Sequence, residues 1–297
     1  MCFPQLRVNG PPDAAYRRFF KVTDRKIEGF SSNTGLEARP NLVGEVKGYA
    51  LFRMTPSDVP ALRKKPGPIP DGWRRVSPSL LRYADEQSIA GTAAVFTAIE
   101  VMGSHPGRFE GWGVVAASRF LGRANLAVAL RSFMAEGVWG TSPHLIPHFA
   151  LHSASGTISL ALGLHGPNLG VGGGRHAVSE GFLAALTWLA AGVVPGVWLV
   201  LSGWSPELVP DPGGTTPHSG ECMGLALALV GAGINAGRPV FRAVFGADGH
   251  RDGDLSGDLE WLAERLKGGG EPSGRTVATD ASGRLRIELL AGPDVLG

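Results

Sequence analysis

Three histidines, His144, His148 and His152, recur every four residues and could supply metal ligands. On a continuous helix this spacing would place their imidazoles along one face, which is an arrangement that can hold zinc. Pro143 and Pro147 argue against a continuous helix, and no acidic residue stands nearby to complete or orient a site. We therefore expect no metal, and His148 and His152 stay as candidates for lining a ligand cavity.

A second candidate for chemistry is Ser179, in the run from Ala177 to Gly181. This run differs by one residue from G-x-S-x-G, the turn that exposes the nucleophilic serine of α/β-hydrolases. Asp248 and His250 follow in the chain order of a hydrolase triad. That turn requires a hydrophobic strand directly upstream, whereas a glycine run precedes this one. The pattern favours an ordinary serine in the first turn or at the N-cap of a helix.

The glycine run Gly170–Gly174 could suggest a phosphate cradle. It lacks the Lys-Ser/Thr ending of a P-loop, and Arg175 stands where a dinucleotide fingerprint needs its third glycine. The run is more typical of a tight turn that lets the backbone pack closely before a helix. No nucleotide and no other cofactor is expected.

Basic residues flank a proline-rich stretch between positions 56 and 78, which is predicted to be a surface loop. One interpretation is a solvated basic loop, and the other is a docking patch for an acidic partner. The candidate docking residues are Arg63, Lys64, Lys65, Arg74 and Arg75.

The 297 residues carry a formal net charge of only +2, which makes nucleic acid an unexpected partner. The chain is long enough to bury a core of its own, and its seven Trp and thirteen Phe indicate a folded protein. The two cysteines, Cys2 and Cys222, exclude a disulfide scaffold and suit a reducing cytoplasm.

One segment, Gly181–Gly203, has no charged residue and is long enough to resemble a membrane span. Gly192, Pro195 and Gly196 divide it into a predicted buried helix and a short buried strand. The first twenty residues lack the apolar region of a signal peptide. We therefore expect a cytoplasmic protein with no membrane span.

Strands alternate with helices along the chain, which predicts an α/β layered fold. The sequence divides into an extension over residues 1–43, a main domain over 44–250 and a short tail over 251–297 with a helix and a hairpin. The predicted strands are Tyr49–Met54, Trp112–Ala117, Val197–Ser202, Gly220–Leu229 and Val240–Phe245. The predicted helices are Ser79–Met102, Asn125–Glu136, His148–Leu162, Gly181–Ala191 and Leu259–Leu266, and the predicted hairpin spans Thr276–Leu290.

Three blocks resemble the N-terminal half of β-ketoacyl synthases, the condensing enzymes of the thiolase-like superfamily. They are the Ser-Pro-x-x-Ile-Pro run Ser142–Pro147, the Gly-Leu-His-Gly-Pro-Asn run Gly163–Asn168, and Gly220-Glu221 with the apolar stretch after it. The resemblance implies a half-thiolase fold, with a central mixed sheet between helices.

The chain departs from that family at the nucleophile. The family's catalytic cysteine stands nine residues after the glycine of the Gly-Pro-Asn motif, where a helix N-terminus stabilises its thiolate. In this sequence that position is Arg175, which cannot be deprotonated. The His/His/Lys set that the family's second half supplies is also missing, so condensing activity is not expected. The degenerate site would consist of Arg175, His176, Ser179 and Glu180.

The resemblance therefore implies a non-condensing subunit similar to a chain length factor, in fatty-acid or polyketide biosynthesis. Its partners would be a full-length ketosynthase or a second copy, and an acyl carrier protein. One alternative is an acyl-transfer or hydrolytic enzyme that uses His176 or Ser179. Another is a homo-oligomeric scaffold or an acyl-binding protein that does not contact a ketosynthase. The candidate ligand-binding residues are His148, His152, Gly173, Gly174 and Arg175.

Two further expectations concern surfaces. An apolar excess over Ala150–Leu164 predicts a dimer formed through the face that carries Gly166–Val171.

Arg175 is predicted to lie at a helix N-terminus, where the helix dipole disfavours a cation. We therefore expect a carboxylate such as Glu221 or Asp211, or a bound anion, beside its guanidinium.

Overall fold

An eight-stranded mixed sheet with helices on both faces forms the centre of the molecule. The computed structural model describes residues 42–65, 77–104, 106–142, 145–211, 213, 215–216, 220–231, 238–246, 259–267, 275–282 and 284–290. Arg74, Arg75, His144, Asp248 and His250 therefore lie outside the described residues.

The strand order is β3-β2-β4-β5-β1-β6-β8-β7. Strands β2, β3 and β4 are parallel to one another, and every other neighbouring pair is antiparallel. The strands are β1 Leu42–Met54, β2 Gly113–Ser118, β3 Asn168–Gly172, β4 Gly196–Ser205, β5 Glu221–Gly231, β6 Val240–Phe245, β7 Arg275–Thr279 and β8 Leu285–Leu290.

The helices are α1 Val59–Leu62, α2 Pro78–Leu81, α3 Glu86–Met102, α4 Arg123–Glu136, α5 Ile146–Phe149, α6 His152–Leu162, α7 Ala177–Ala190 and α8 Leu259–Lys267. Two 3₁₀ turns, Pro106–Phe109 and Gly137–Gly140, complete the described helical segments. The expected α/β fold with a C-terminal helix and hairpin is present, and the hairpin β7–β8 extends the central sheet beyond β6.

The sheet has a hydrophobic core on each face because alternate residues of its central strands point in opposite directions. In β4, Leu199 and Leu201 pack with α7 and α8 on one face, whereas Trp198 and Val200 pack with α3 and α6 on the other. β4 is thus buried on both faces, as its unbroken apolar sequence predicts. No helix among the described residues is long and apolar enough to span a bilayer.

Two of the predicted boundaries that are wrong have a clear local reason. β1 begins at Leu42 rather than Tyr49, because Glu45, Lys47 and two glycines interrupt the apolar alternation. The predicted helix from Ser79 is two helices, since Asp85 caps a new one by accepting a hydrogen bond from Gln87 N at 2.9 Å.

The glycine run is a strand for the most part, because Gly170 and Gly172 belong to β3. A Cβ at Gly170 would lie 2.0 Å from the carbonyl oxygen of Leu151, so only glycine allows β3 to approach that backbone. The close packing predicted for the run is thereby confirmed.

Candidate functional site

The turn between β3 and α7 holds the position that the sequence assigned to a lost nucleophile. Gly172 and Gly173 have φ angles of 83° and 90°, a conformation that favours glycine. The carbonyl of Gly173 accepts a hydrogen bond from Phe120 N at 3.2 Å, and Gly174 O accepts one from Ala177 N at 3.3 Å. Hydrogen bonds between backbone groups and the positive φ angles of two glycines therefore define the shape of this turn.

Arg175 lies on this turn with its side chain exposed. It has no hydrogen bond or ion pair with any described residue. Of its expected acidic partners, Asp211 instead accepts a hydrogen bond from Thr215 N at 2.7 Å, and Glu221 is exposed at the start of β5. The expectation of an arginine–carboxylate pair is therefore wrong for the described residues, and the alternative of a bound anion stays a prediction.

The polar residues close to Arg175 in the sequence make structural contacts. Ser179 is fully buried, and its Oγ donates to the carbonyl of His176 at 2.9 Å, as a first-turn serine does. The Nδ1 atom of His176 lies 3.2 Å from Thr279 O, so this ring contacts β7 rather than the serine. Glu180 is exposed, and a Cβ on Gly172 would come within 3.3 Å of its Oε2 atom. The described contacts thus contain no hydrogen bond between the Ser179 hydroxyl and a histidine ring.

The described histidines do not share a helix. His148 lies at the end of α5, where its ring packs against Tyr83 with a centroid separation of 5.7 Å. His152 is exposed at the start of α6, beyond a break at Ala150 and Leu151. No cluster of three metal-ligating side chains occurs within the described part of the chain.

Three of the predicted docking residues are described, and they differ in their contacts. Arg63 follows α1, donates to the carbonyl of Arg82 and pairs with Glu86 at 3.3 Å. Lys64 and Lys65 are exposed. Only these two of the predicted docking residues within the described ranges are exposed and have no described contact through their side chains.

A buried polar cluster that the sequence analysis missed lies at the carboxyl ends of β2 and β4. It consists of Asp85, Gln87, Ser118, Asn125 and Ser202. Ser202 Oγ lies 2.7 Å from Ser118 Oγ and 3.2 Å from Gln87 Oε1, while Gln87 Nε2 donates to the carbonyl of Arg119 at 2.8 Å. No sequence signal groups these residues, because four separate elements supply them.

Asp85 is the acidic member of this cluster. Burial, and then the charge of Glu86, raises the pKa of Asp85 to about 7. Asn125 Nδ2 donates to Asp85 Oδ2 at 3.3 Å and to Glu86 Oε2 at 3.1 Å, and so connects α4 to the start of α3. Burial, and then the charges of Asp85 and Glu86, raises the pKa of the Cys222 thiol well above its usual value.

Two arginines border the cluster. Arg119 Nη2 lies 3.5 Å from Glu207 Oε2, and Arg123 binds the other carboxylate oxygen of Glu207. The Arg123 guanidinium also stacks over the ring of Phe120, 3.8 Å from its centroid. Each described cation here has a carboxylate or an aromatic ring as its partner.

Seven exposed large apolar side chains lie on α4 and the 3₁₀ turn after it, and we call this region the α4 surface. No residue of α4 is buried. Met134 is 84% exposed and Trp139 is 92% exposed. The other members are Leu126, Val128, Leu130, Phe133 and Val138.

The segment Ala150–Leu164, in which the sequence placed an apolar excess, is mostly α6. Ile158 is fully buried there, whereas Leu160 is 71% exposed and Leu151, just before the helix, is 37% exposed. The dimer stays a prediction. Leu126, Leu130, Phe133 and Met134 of α4 follow the spacing of an apolar stripe, which ordinarily predicts a buried helix face, so their exposure was not readable from periodicity.

No family model matches the sequence, and no curated protein matches it. Among solved structures, a ketosynthase, ApeO, in complex with its chain length factor, ApeC, from Xenorhabdus doucetiae superposes with a TM-score of 0.50 at 13% identity. The superposition covers 84% of this chain and 99% of that chain. The ishigamide ketosynthase/chain length factor gives a TM-score of 0.49 at 18% identity, over 81% of this chain and 79% of that one.

The likeness to the ketosynthase–chain length factor structure, at 13% identity, establishes the fold of this chain. It has the thiolase-like, ketosynthase-type α/β fold, as its sequence motifs predict. In this fold the turn after β3 carries an exposed arginine and no thiol.

Proposed function

We propose that this chain is a non-condensing ketosynthase-like subunit, similar to a chain length factor, that pairs with a ketosynthase in polyketide or fatty-acid biosynthesis. The observation that carries the proposal is Arg175, exposed on the turn where the resemblance places the nucleophile. A guanidinium stays protonated at working pH and cannot attack a thioester. Ser179 offers no replacement, because its hydroxyl is buried and already bonded to His176 O.

The solved structure that superposes over 99% of its chain is a complex of a ketosynthase with its chain length factor. This supports a pairing role, since the matched chain is of similar size to this one. The same proposal assigns residues 44–250 to the ketosynthase-like domain, with residues 1–43 as an extension and residues 251–297 as a tail that enlarges the sheet.

Two features of the structure support a partner. β3 is the last strand at its end of the sheet, so one row of its backbone groups has no described strand beside it. The α4 surface exposes Met134 and Trp139 almost completely. We propose that these two regions form the interface, with β3 pairing at the face Gly166–Val171. Lys64 and Lys65 remain the candidates for docking an acyl carrier protein.

The test is co-expression with a full-length ketosynthase of the same organism, followed by light scattering on the purified complex. We expect a one-to-one heterodimer, and the double change Met134→Asp with Trp139→Asp should weaken it at least about tenfold, because it places charge in an apolar interface. Val209→Asp, at another exposed apolar residue, is the matched control and should leave the complex intact. A chain that stays monomeric at micromolar concentration with and without the ketosynthase would contradict the proposal.

A further inference from the structure

Helix α4 carries an apolar stripe on its outer side. The stripe consists of Leu126, Leu130, Phe133 and Met134, which are between 48% and 84% exposed. A helix with such a stripe ordinarily turns it toward the core, because the burial of apolar surface is favourable. Since α4 presents its stripe outward, contacts elsewhere on the helix must fix its rotation.

Polar side chains attach α4 to the rest of the molecule. Arg123, in the first turn, bonds to Glu207. Asn125 bonds to the start of α3, and Arg131 Nη1 donates to Thr215 Oγ1 at 3.3 Å. In a helix of 3.6 residues per turn, Asn125 and Arg131 each lie more than about 100° from the centre of the stripe, on opposite flanks. Two attachments placed in this way can hold the stripe outward.

Asn125 makes the more specific of these two attachments. Its side-chain amide has two N–H groups, and it donates to Asp85 Oδ2 at 3.3 Å and to Glu86 Oε2 at 3.1 Å. Arg131 is exposed and has one bond, to the hydroxyl of Thr215. A long, exposed side chain fixes a helix poorly, because holding it in one conformation costs entropy. We therefore expect Asn125 to contribute more to the position of α4.

Both acceptors of Asn125 are themselves held in place. Asp85 is buried and caps α3 by accepting a hydrogen bond from Gln87 N at 2.9 Å. Glu86 pairs with Arg63 at 3.3 Å. The two carboxyl groups thus form a fixed receptor for one neutral side chain with two N–H groups. Asparagine supplies these groups, whereas an ionised aspartate of the same shape has none.

We infer that Asn125 is a positioning residue for the α4 surface: its amide, held by Asp85 and Glu86, fixes the rotation of α4 so that the apolar stripe faces outward. Asn125 lies outside the stripe, so it acts through the helix and not by touching a partner. The identity of that partner rests on the proposed function, but the way in which α4 is held does not.

The first test measures hydrogen exchange of the α4 amides in the free, full-length chain. Asn125→Asp keeps the shape of the side chain but places a carboxylate against two others, so exchange in α4 should become at least about fivefold faster. An effect on the helix alone would have the opposite sign, because an acidic residue in the first turn stabilises a helix. Exchange in α7 should stay at the wild-type rate, which shows that the variant is folded.

A swapped pair separates positioning from general damage. When Asn125→Asp is combined with Glu86→Gln, the amide introduced at position 86 can donate to the carboxylate introduced at position 125. The combination should reverse at least about half of the increase in exchange. Glu86→Gln alone keeps an oxygen that accepts from Asn125, so it should change exchange in α4 less than about twofold.

The second test measures the affinity of the same variants for the co-expressed ketosynthase. Asn125→Asp should weaken the complex at least about fivefold, whereas Arg131→Ala, on the other flank of α4, should change exchange and affinity less than about twofold. Unchanged or slower exchange in Asn125→Asp, no recovery in the combined variant, or an equal effect of Arg131→Ala would overturn the inference. So would faster exchange with unaltered affinity. If the wild type binds no ketosynthase, the proposed function fails, and the exchange rates still decide the role of Asn125.

Discussion

The backbone N–H of Phe120 donates to the carbonyl of Gly173 at 3.2 Å, and this bond joins the turn after β2 to the turn after β3. Phe120 has a φ of 50°, which a non-glycine residue adopts only when its surroundings hold it there. Here the Arg123 guanidinium lies over its ring. Phe120 therefore connects the turn that bears Arg175 to Arg123, at the border of the buried polar cluster.

Gly173→Ala should destabilise the protein by about 1–3 kcal/mol. Its φ is 90°, and an added Cβ would lie 3.0 Å from Leu151 Cδ2. Gly174→Ala is the matched control, because nothing lies within 4 Å of its Cβ position. Urea denaturation measures the free energy of unfolding of the two variants, and equal values would contradict the prediction.

Asp85→Asn should flatten the dependence of stability on pH between about 4 and 7. Burial raises the pKa of Asp85 to about 7 in the folded state, so the native protein keeps a proton that the unfolded chain releases. The free energy of unfolding of the wild type therefore falls as pH rises through this window, by a few kcal/mol in all.

The Asn side chain keeps the oxygen that caps α3 and removes this titration, so the variant should be the more stable protein at pH 8. Thermal unfolding at intervals between pH 4 and 8 measures the slope. Asp211→Asn, at an exposed aspartate, should keep the wild-type slope. An unchanged slope in Asp85→Asn would show that another group is responsible.

Arg63→Ala should cost about 1–2 kcal/mol of stability, because it removes the bond to the carbonyl of Arg82 and the pair with Glu86. Lys64→Ala changes an exposed neighbour and should cost less than about 0.5 kcal/mol. Calorimetry distinguishes the two. If both variants unfold like the wild type, Arg63 belongs with the free docking cations after all.

The purified protein should form no condensation product from malonyl- and acyl-loaded carrier proteins, as judged by mass spectrometry. Arg175→Ala should leave this result unchanged, and it should also leave the melting temperature unchanged because the side chain is exposed. Product that disappears in Arg175→Ala would refute the prediction. Product that persists would implicate another residue, and Ser179→Ala would then be measured.

Elements with an unbroken or periodic apolar pattern were predictable from the sequence. β4 is an example, because burial on both faces of the sheet requires apolar residues along Val197–Leu201. The break between α2 and α3 was not predictable, because the residues before Asp85 could also continue a helix. The side-chain cap at Asp85 determines that a new helix begins there. The buried polar cluster was also out of reach, since Gln87 and Ser202 meet only after the sheet has formed.

Ser118 and Ser202 are aligned neighbours in the parallel pair β2–β4, and their hydroxyls lie 2.7 Å apart in the buried polar cluster. A shift of β2 by one residue would turn Ser118 to the opposite face and leave the Ser202 and Gln87 polar groups buried without their partner. Most of the other residues of β2 are small or branched apolar ones that would tolerate such a slip. The serine pair therefore makes the misaligned sheet less stable than the correct one, and in this way it specifies the register of β2.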